Sequence, residues 1–278
     1  MSEQEDVVTM WGPKLTKNKK VSIEDSNPNR KVRTNPGLRH ILFGILVTTL
    51  IAPIIELVVL IPYLLHKYPA LVNNPSSLLS KANDFLTSNV VALLGGLILT
   101  WIGLTGPVFW AGRKFLGGWK KMVNWKFAWK TDLLIALGFA IGARTLEAIV
   151  NEILKLIHID ASKLTNGALL TSSGSKWIPL LAIGASVGAP IAEELFFRGL
   201  VLSVAKRKFG KIVGVLISST LFGLVHIQTT VSASIYMFFS TAVLGAMLAL
   251  LVLKTNRLGT SILAHGAFNA SAGLFALL

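Results

Sequence analysis

Long apolar runs, separated by shorter polar stretches, make up most of the chain after residue 39. Several of these runs reach the ~20 residues that a helix needs to cross the hydrocarbon core of a bilayer. The fifth run is short, and the third contains charged residues. The pattern predicts seven candidate spans, at about 41–65, 90–111, 132–151, 177–204, 212–228, 234–253 and 259–277.

Composition agrees with a membrane protein. Of the 278 residues, 53% are hydrophobic and only 14% are charged, which is too apolar for an ordinary soluble domain. We therefore predict an all-α fold, a polytopic transmembrane helical bundle of about seven spans, over residues 40–278. Residues 1–39 are basic and polar and are predicted to form a poorly ordered tail. The chain has no cysteine, which excludes disulfides and thiolate metal sites.

Basic residues alternate between the two sides of the predicted bundle. The tail and the loops after spans two, four and six hold 20 of the 27 Lys and Arg residues, and the other loops hold five. The positive-inside rule then predicts a multi-pass integral membrane protein with a cytosolic N-terminus, in the cell membrane if the source is prokaryotic. The net charge of +14 is explained by topology and by attraction to anionic lipid, so no nucleic-acid partner is expected.

One apolar span carries three charges in the sequence APIAEELFFRG. In a helix, Glu194 and Arg198 share a face at i, i+4 and can neutralise each other. Glu193 is rotated by ~100° from Glu194 and has no local cation. A buried carboxylate in that situation accepts a proton more readily than an exposed one. Pro190, just upstream, is expected to kink the helix and to open space near Glu193.

Two further spans carry histidines. Phe222 and His226 lie four residues apart in the fifth span, and His265 and Asn269 lie four apart in the seventh. Each pair therefore shares one helix face. A single histidine in a membrane helix is commonly a packing residue. Two histidines, an amide and an unpaired carboxylate on three spans together indicate a functional site.

These motifs resemble those of the CPBP family, the CAAX-protease and bacteriocin-processing (Abi) intramembrane endopeptidases. The resemblance covers about residues 177–278 and rests on three ordered motifs, Glu-Glu-x-x-x-Arg, Phe-x-x-x-His and His-x-x-x-Asn. It implies hydrolysis of a peptide bond within the membrane, with Glu193 as the catalytic glutamate and His226 assisting it. His265 and Asn269 would stabilise the oxyanion. Glu194, Arg198 and Phe222 would support the site.

The residue types suit this chemistry, and they leave the role of a metal open. A carboxylate can act as the general base for water, and imidazole and carboxamide N–H groups can stabilise an oxyanion. Glu193, His226 and His265 could instead hold a catalytic zinc ion, since two histidines and one carboxylate form a common zinc set. The helical His-x-x-x-His pair of soluble zinc proteases is absent, which favours the metal-free hypothesis.

Other functions remain as alternatives. Ser186 lies in a Gly-x-Ser-x-Gly pattern, but the strand–turn–helix context of a serine nucleophile is missing. Arg144, Glu147 and Glu56 could join the site residues in a proton-coupled transporter, although no repeat supports one. A catalytically silent immunity or scaffold protein is the third alternative.

The expected partner is a peptide or protein substrate: a prenylated C-terminal peptide, a bacteriocin precursor or a signal-peptide precursor. The sequence does not indicate the oligomeric state.

Overall fold

The computed structural model describes residues 35–115, 117–156, 178–227 and 231–275. Most of the basic tail predicted over residues 1–39 lies outside these described residues. Within them the chain is helical and contains no strand, which confirms the predicted all-α class. The helices are α1 Leu38–Lys67, α2 Pro75–Ser88, α3 Val90–Arg113, α4 Gly118–Met122, α5 Trp129–Leu156, α6 Pro179–Phe209, α7 Lys211–Leu224, α8 Val231–Thr255 and α9 Leu258–Phe275.

Five of the described helices are long and apolar enough to cross a membrane, namely α1, α3, α5, α6 and α8. The prediction of about seven spans is therefore not confirmed. The predicted fifth span corresponds to α7, an apolar helix of only 14 residues. The predicted seventh corresponds to α9, whose 18 residues include the polar His265 and Asn269. Both helices lie within the bundle.

Helix α6 lies at the centre of the molecule. Its middle is buried on all sides, and Phe196, Phe197 and Leu200 are wholly inaccessible to solvent. Helices α3, α7 and α9 pack around it, and α5 packs along α9. Because α6 is enclosed by other helices rather than by lipid, it can carry charged side chains that a lipid-facing helix could not.

Two π-helical turns interrupt α6, at Gly184–Gly188 and at Leu195–Val201, on either side of the Glu193–Glu194 pair. Small residues allow close packing at the first turn. A Cβ on Gly188 would lie 2.3 Å from the Trp101 ring, and a Cβ on Gly266 of α9 would lie 2.7 Å from the Ser186 carbonyl oxygen. Pro190 has no N–H to bond that carbonyl, which lies four residues back. The predicted proline effect thus coincides with the close contact between α6 and α9.

Buried polar groups fix the position of α9 at its N-terminal end. Asp132, at the start of α5, is wholly buried. Its Oδ1 accepts hydrogen bonds from Arg257 Nη2 at 2.6 Å and from Thr260 Oγ1 at 2.7 Å. The other oxygen accepts from the Ala128 backbone N–H at 2.6 Å. These bonds join the first turns of α5 and α9. They therefore fix the position of α9 along its axis, and with it the later turns that carry His265 and Asn269.

Candidate active site

The four residues predicted to be catalytic line a single cavity of about 340 Å³. Glu193 comes from α6, His226 from the turn after α7, and both His265 and Asn269 from α9. Tyr236 and other side chains of α8 form a further wall. Elements that are distant in the sequence therefore bring these four side chains together.

Beneath the cavity lies a fully buried ion pair. Glu194 and Arg198 have no solvent-accessible side-chain surface, and Arg198 Nη1 lies 3.1 Å from Glu194 Oε1. This contact has the distance of an ion pair but not the alignment of a hydrogen bond. Arg198 Nη2 donates to the Gly245 carbonyl oxygen at 3.1 Å, and its guanidinium lies 4.4 Å from the Phe222 ring centroid. The pairing of Glu194 with Arg198 is as predicted from their spacing.

His265 stands between the two adjacent glutamates. Its Nδ1 is 3.0 Å from Glu194 Oε1, and its Nε2 is 3.8 Å from Glu193 Oε2. Glu193 is 17% exposed, whereas Glu194 is not exposed at all. Among the described residues, Glu193 forms no ion pair with a lysine or arginine. The two carboxylates thus differ as the sequence predicts: one is neutralised in the core, and the other faces the cavity.

The sequence predicts that His226 lies inside the fifth span. In the structure it lies just beyond the end of α7. The last turn tightens, because the His226 backbone N–H bonds to the Gly223 carbonyl three residues back. The His226 side chain still reaches the expected neighbour: its Nδ1 is 2.7 Å from the Phe222 carbonyl oxygen. If Nδ1 donates this bond, Nε2 is the acceptor nitrogen of the neutral ring. The buried Phe222 ring contacts both histidines, at centroid distances of 4.7 and 5.7 Å.

Asn269 makes a hydrogen bond to the interrupted part of α6. Its Nδ2 donates to the Ala185 carbonyl oxygen at 2.8 Å, within the π-helical turn. A carboxamide nitrogen carries two hydrogens, so one remains for another acceptor. Asn269 therefore has a fixed orientation at the wall of the cavity.

A second polar network lines the cavity, and the sequence places its charged residues in the transporter alternative but not in the peptidase site. Arg144 Nη1 pairs with Glu147 Oε2 at 2.5 Å, and both residues line the cavity. Arg144 also donates to the Phe268 carbonyl at 2.7 Å and to Ser271 Oγ at 2.9 Å. The i, i+3 spacing signalled the ion pair, but no sequence pattern signalled that it joins α5 to the turn of α9 that contains Asn269.

Residues 175–271 match the family model described as type II CAAX prenyl endopeptidase Rce1-like. This part of the chain is an Rce1-like domain. The match confirms the resemblance drawn from the three motifs, and it includes all four residues that are predicted to be catalytic, Glu193, His226, His265 and Asn269. Because Rce1-like proteins are a protease family, the match supports an enzyme with intramembrane endopeptidase activity. No curated protein and no solved structure matches the chain.

The proposed zinc set does not fit a bound ion in this arrangement of the Rce1-like domain. Among the residues that the structure describes, no three His, Asp or Glu side chains converge closely enough to hold a metal. His265 also presents both ring nitrogens to carboxylates, at 3.0 Å from Glu194 and 3.8 Å from Glu193.

The serine alternative lacks the expected geometry. Ser186 lines the cavity of the Rce1-like domain, but it lies in the π-helical turn of α6 rather than on a turn after a strand. Within the described part of the chain, no hydrogen bond joins Ser186 to a histidine. A serine nucleophile needs such a base to activate it.

Proposed function

We propose that this chain is an intramembrane endopeptidase in which Glu193 activates water for attack on a peptide bond. The observation that carries the proposal is the convergence of Glu193, His226, His265 and Asn269 on one cavity. The buried Glu194–Arg198 pair below the cavity supports it further. Glu194 is paired with Arg198 and Glu147 with Arg144, whereas Glu193 lines the cavity without an ion pair to a lysine or arginine among the described residues.

In the first step, Glu193 takes a proton from a water molecule while the water oxygen bonds to the carbonyl carbon of the substrate. A carboxylate in this role contributes roughly 100- to 10,000-fold to the rate. The negative charge then moves to the carbonyl oxygen. Asn269 has one amide hydrogen not used by Ala185, and this hydrogen can be donated to that oxygen. His265, oriented by Glu194, supplies a second donor from Nε2 when its ring is protonated.

In the second step, the carbon–nitrogen bond breaks and the leaving amine takes up the proton held by Glu193. His226 assists both proton transfers: its Nδ1 contacts the Phe222 carbonyl at 2.7 Å, and we assign the exchange of a proton with water to its Nε2. The products are a carboxylic acid and an amine, and Glu193 returns to its ionised form. The reaction consumes one water molecule.

For the substrate, we propose a peptide near the C-terminus of a prenylated chain. The description of the matched family names CAAX prenyl endopeptidases, and the cavity wall combines the polar site residues with apolar side chains such as Met237, Leu244 and Phe268. Bacteriocin and signal-peptide precursors are the competing substrates.

The test uses purified full-length protein in lipid nanodiscs and three peptide classes. These are farnesylated CAAX peptides, the same peptides without the farnesyl group, and apolar precursor peptides. We expect cleavage of the farnesylated peptides, at least tenfold faster than of the unmodified ones. Equal rates for both would contradict the prenyl assignment, and cleavage of precursor peptides alone would transfer the proposal to that class.

A chelator arm tests the metal hypothesis in the same assay. We expect the rate to be unchanged after incubation with a chelator and removal of free metal. Loss of activity that zinc restores would instead assign Glu193, His226 and His265 as metal ligands.

A further inference from the structure

A second cavity, of about 470 Å³, lies between α1, α2 and α3, in the part of the chain outside the Rce1-like match. Its volume is within the roughly 300–1,000 Å³ that is usual for small-molecule sites. The walls are mostly hydrocarbon, and they include Val59, Leu60, Phe85 and Leu99. It shares no lining residue with the active-site cavity.

One carboxylate interrupts this apolar wall. Glu56 lies in the membrane-spanning helix α1 and is half-buried. It has no ion pair or hydrogen bond among the residues that the structure describes. The carboxylate fits beside α3 because Gly96 has no side chain. A Cβ at Gly96 would lie 2.7 Å from Glu56 Oε1.

A carboxylate within the bilayer is costly unless a partner offsets its charge. Glu194 has such a partner in Arg198, and Glu147 has one in Arg144. Within the described part of the chain Glu56 has no such partner, and its carboxylate lies beside Gly96 of α3 in the wall of the cavity. The cavity therefore complements a molecule with one cationic group and an apolar body.

We propose that this cavity binds a hydrophobic organic amine, whose protonated nitrogen pairs with Glu56 while its hydrocarbon part fills the space between α1, α2 and α3. Charge complementarity decides the class of ligand. A fatty acid would place two carboxylates together, and a neutral alcohol would leave Glu56 without a counter-charge. The proposal does not depend on the peptidase activity, because the two cavities are separate.

The test measures binding of tritiated dodecylamine to the full-length protein in phosphatidylcholine nanodiscs, with empty nanodiscs subtracted. Unlabelled dodecylamine and dodecanol are the competitors, since they share a chain length and differ in charge. We expect saturable binding to the wild type and competition by dodecanol that is at least tenfold weaker than competition by dodecylamine. The affinity of Glu56→Gln should be at least tenfold lower.

Two more variants complete the test. Glu152→Gln removes an exposed carboxylate from α5 and should bind as the wild type does. Gly96→Val keeps the charge of Glu56 but fills the space beside it, and should also weaken binding at least tenfold. It serves as the second variant if Glu56→Gln does not fold. The proposal is overturned by no saturable binding to the wild type, by unchanged affinity in Glu56→Gln or Gly96→Val, or by equal competition from dodecanol.

Discussion

At the scale of single residues, the adjacent Glu193 and Glu194 illustrate how helix geometry separates two identical side chains. A rotation of ~100° directs one into the core and the other to the cavity. Glu194 meets Arg198 and His265 in a region without solvent, whereas Glu193 is 17% exposed and lies 3.8 Å from His265. One residue therefore stabilises the fold, and its neighbour is available for chemistry.

This difference predicts opposite effects of the same substitution. Glu194→Gln leaves Arg198 buried without its counter-charge, which costs about 3–5 kcal/mol when one partner of a buried pair is removed. Glu193→Gln should change the free energy of unfolding by less than about 1 kcal/mol, because among the described residues Glu193 forms no ion pair with a lysine or arginine. Denaturant unfolding in detergent micelles, followed by tryptophan fluorescence, measures both. A larger loss in Glu193→Gln than in Glu194→Gln would contradict the assignment.

At the scale of secondary-structure elements, the position of α9 against α6 decides the shape of the site. The contact is close because Gly266 packs on the Ser186 carbonyl and Asn269 donates a hydrogen bond to the preceding carbonyl, that of Ala185. From the other side, α5 holds α9 through Asp132 and Arg144. Small shifts of α9 would move His265 and Asn269 relative to Glu193.

Gly266→Ala tests the contact between α6 and α9. The added Cβ would lie 2.7 Å from a backbone oxygen, so α9 must move away from α6. We expect a loss of about 1–3 kcal/mol in stability and at least a tenfold loss of peptidase rate. Gly138→Ala on α5 is the matched control, because a Cβ there meets open space. Equal behaviour of the two variants would show that the close contact is unimportant.

Arg144→Ala tests the junction between α5 and α9. The variant removes the bonds to the Phe268 carbonyl and to Ser271, and it leaves Glu147 without its cation. We expect kcat to fall at least tenfold while KM changes less than threefold, since the junction orients Asn269 rather than binding substrate. Arg144→Lys should have a kcat close to that of Arg144→Ala, because one ammonium group cannot reproduce the hydrogen bonds of the guanidinium. Lys155→Ala, at an exposed ion pair on α5, is the control. Wild-type kcat in Arg144→Ala would contradict this role.

At the scale of the whole molecule, the sequence predicts the helical class and the grouping of Glu193, His226, His265 and Asn269 better than it predicts the number of spans. Residues such as Glu193 and His265 stand out because charged groups within apolar runs need an explanation. Helix α2 was not predicted, since its stability comes from Leu78 and Ala82 packing on α1 rather than from a long apolar run. Helix α7 is short and α9 carries polar residues, yet both have apolar sequence patterns like those of membrane spans. Their positions depend on packing against the surrounding helices. Contacts between distant helices, such as Arg144 with Phe268, leave no local pattern in the sequence.

The excess of basic residues on one side predicts the orientation of the bundle. The chain contains no cysteine, so a single introduced cysteine reports the side of the membrane on which its loop lies, without labelling of native cysteines in this chain. We expect Ser80→Cys, before α3, to react with a membrane-impermeant maleimide added to intact cells. Lys121→Cys, between α3 and α5, should react only after the membrane is opened. The reverse pattern would place the basic loops outside and contradict the orientation.

The most direct test of the account compares single-turnover cleavage by the wild type, Glu193→Gln and Ser186→Ala, with each protein in excess over a peptide that the wild type cleaves. Single turnover isolates chemistry from product release. We predict that Glu193→Gln loses roughly 100- to 10,000-fold in rate, and that Ser186→Ala stays within about threefold of the wild type. Cleavage by Glu193→Gln at the wild-type rate would contradict the central claim, and loss of cleavage in Ser186→Ala alone would identify a serine nucleophile instead.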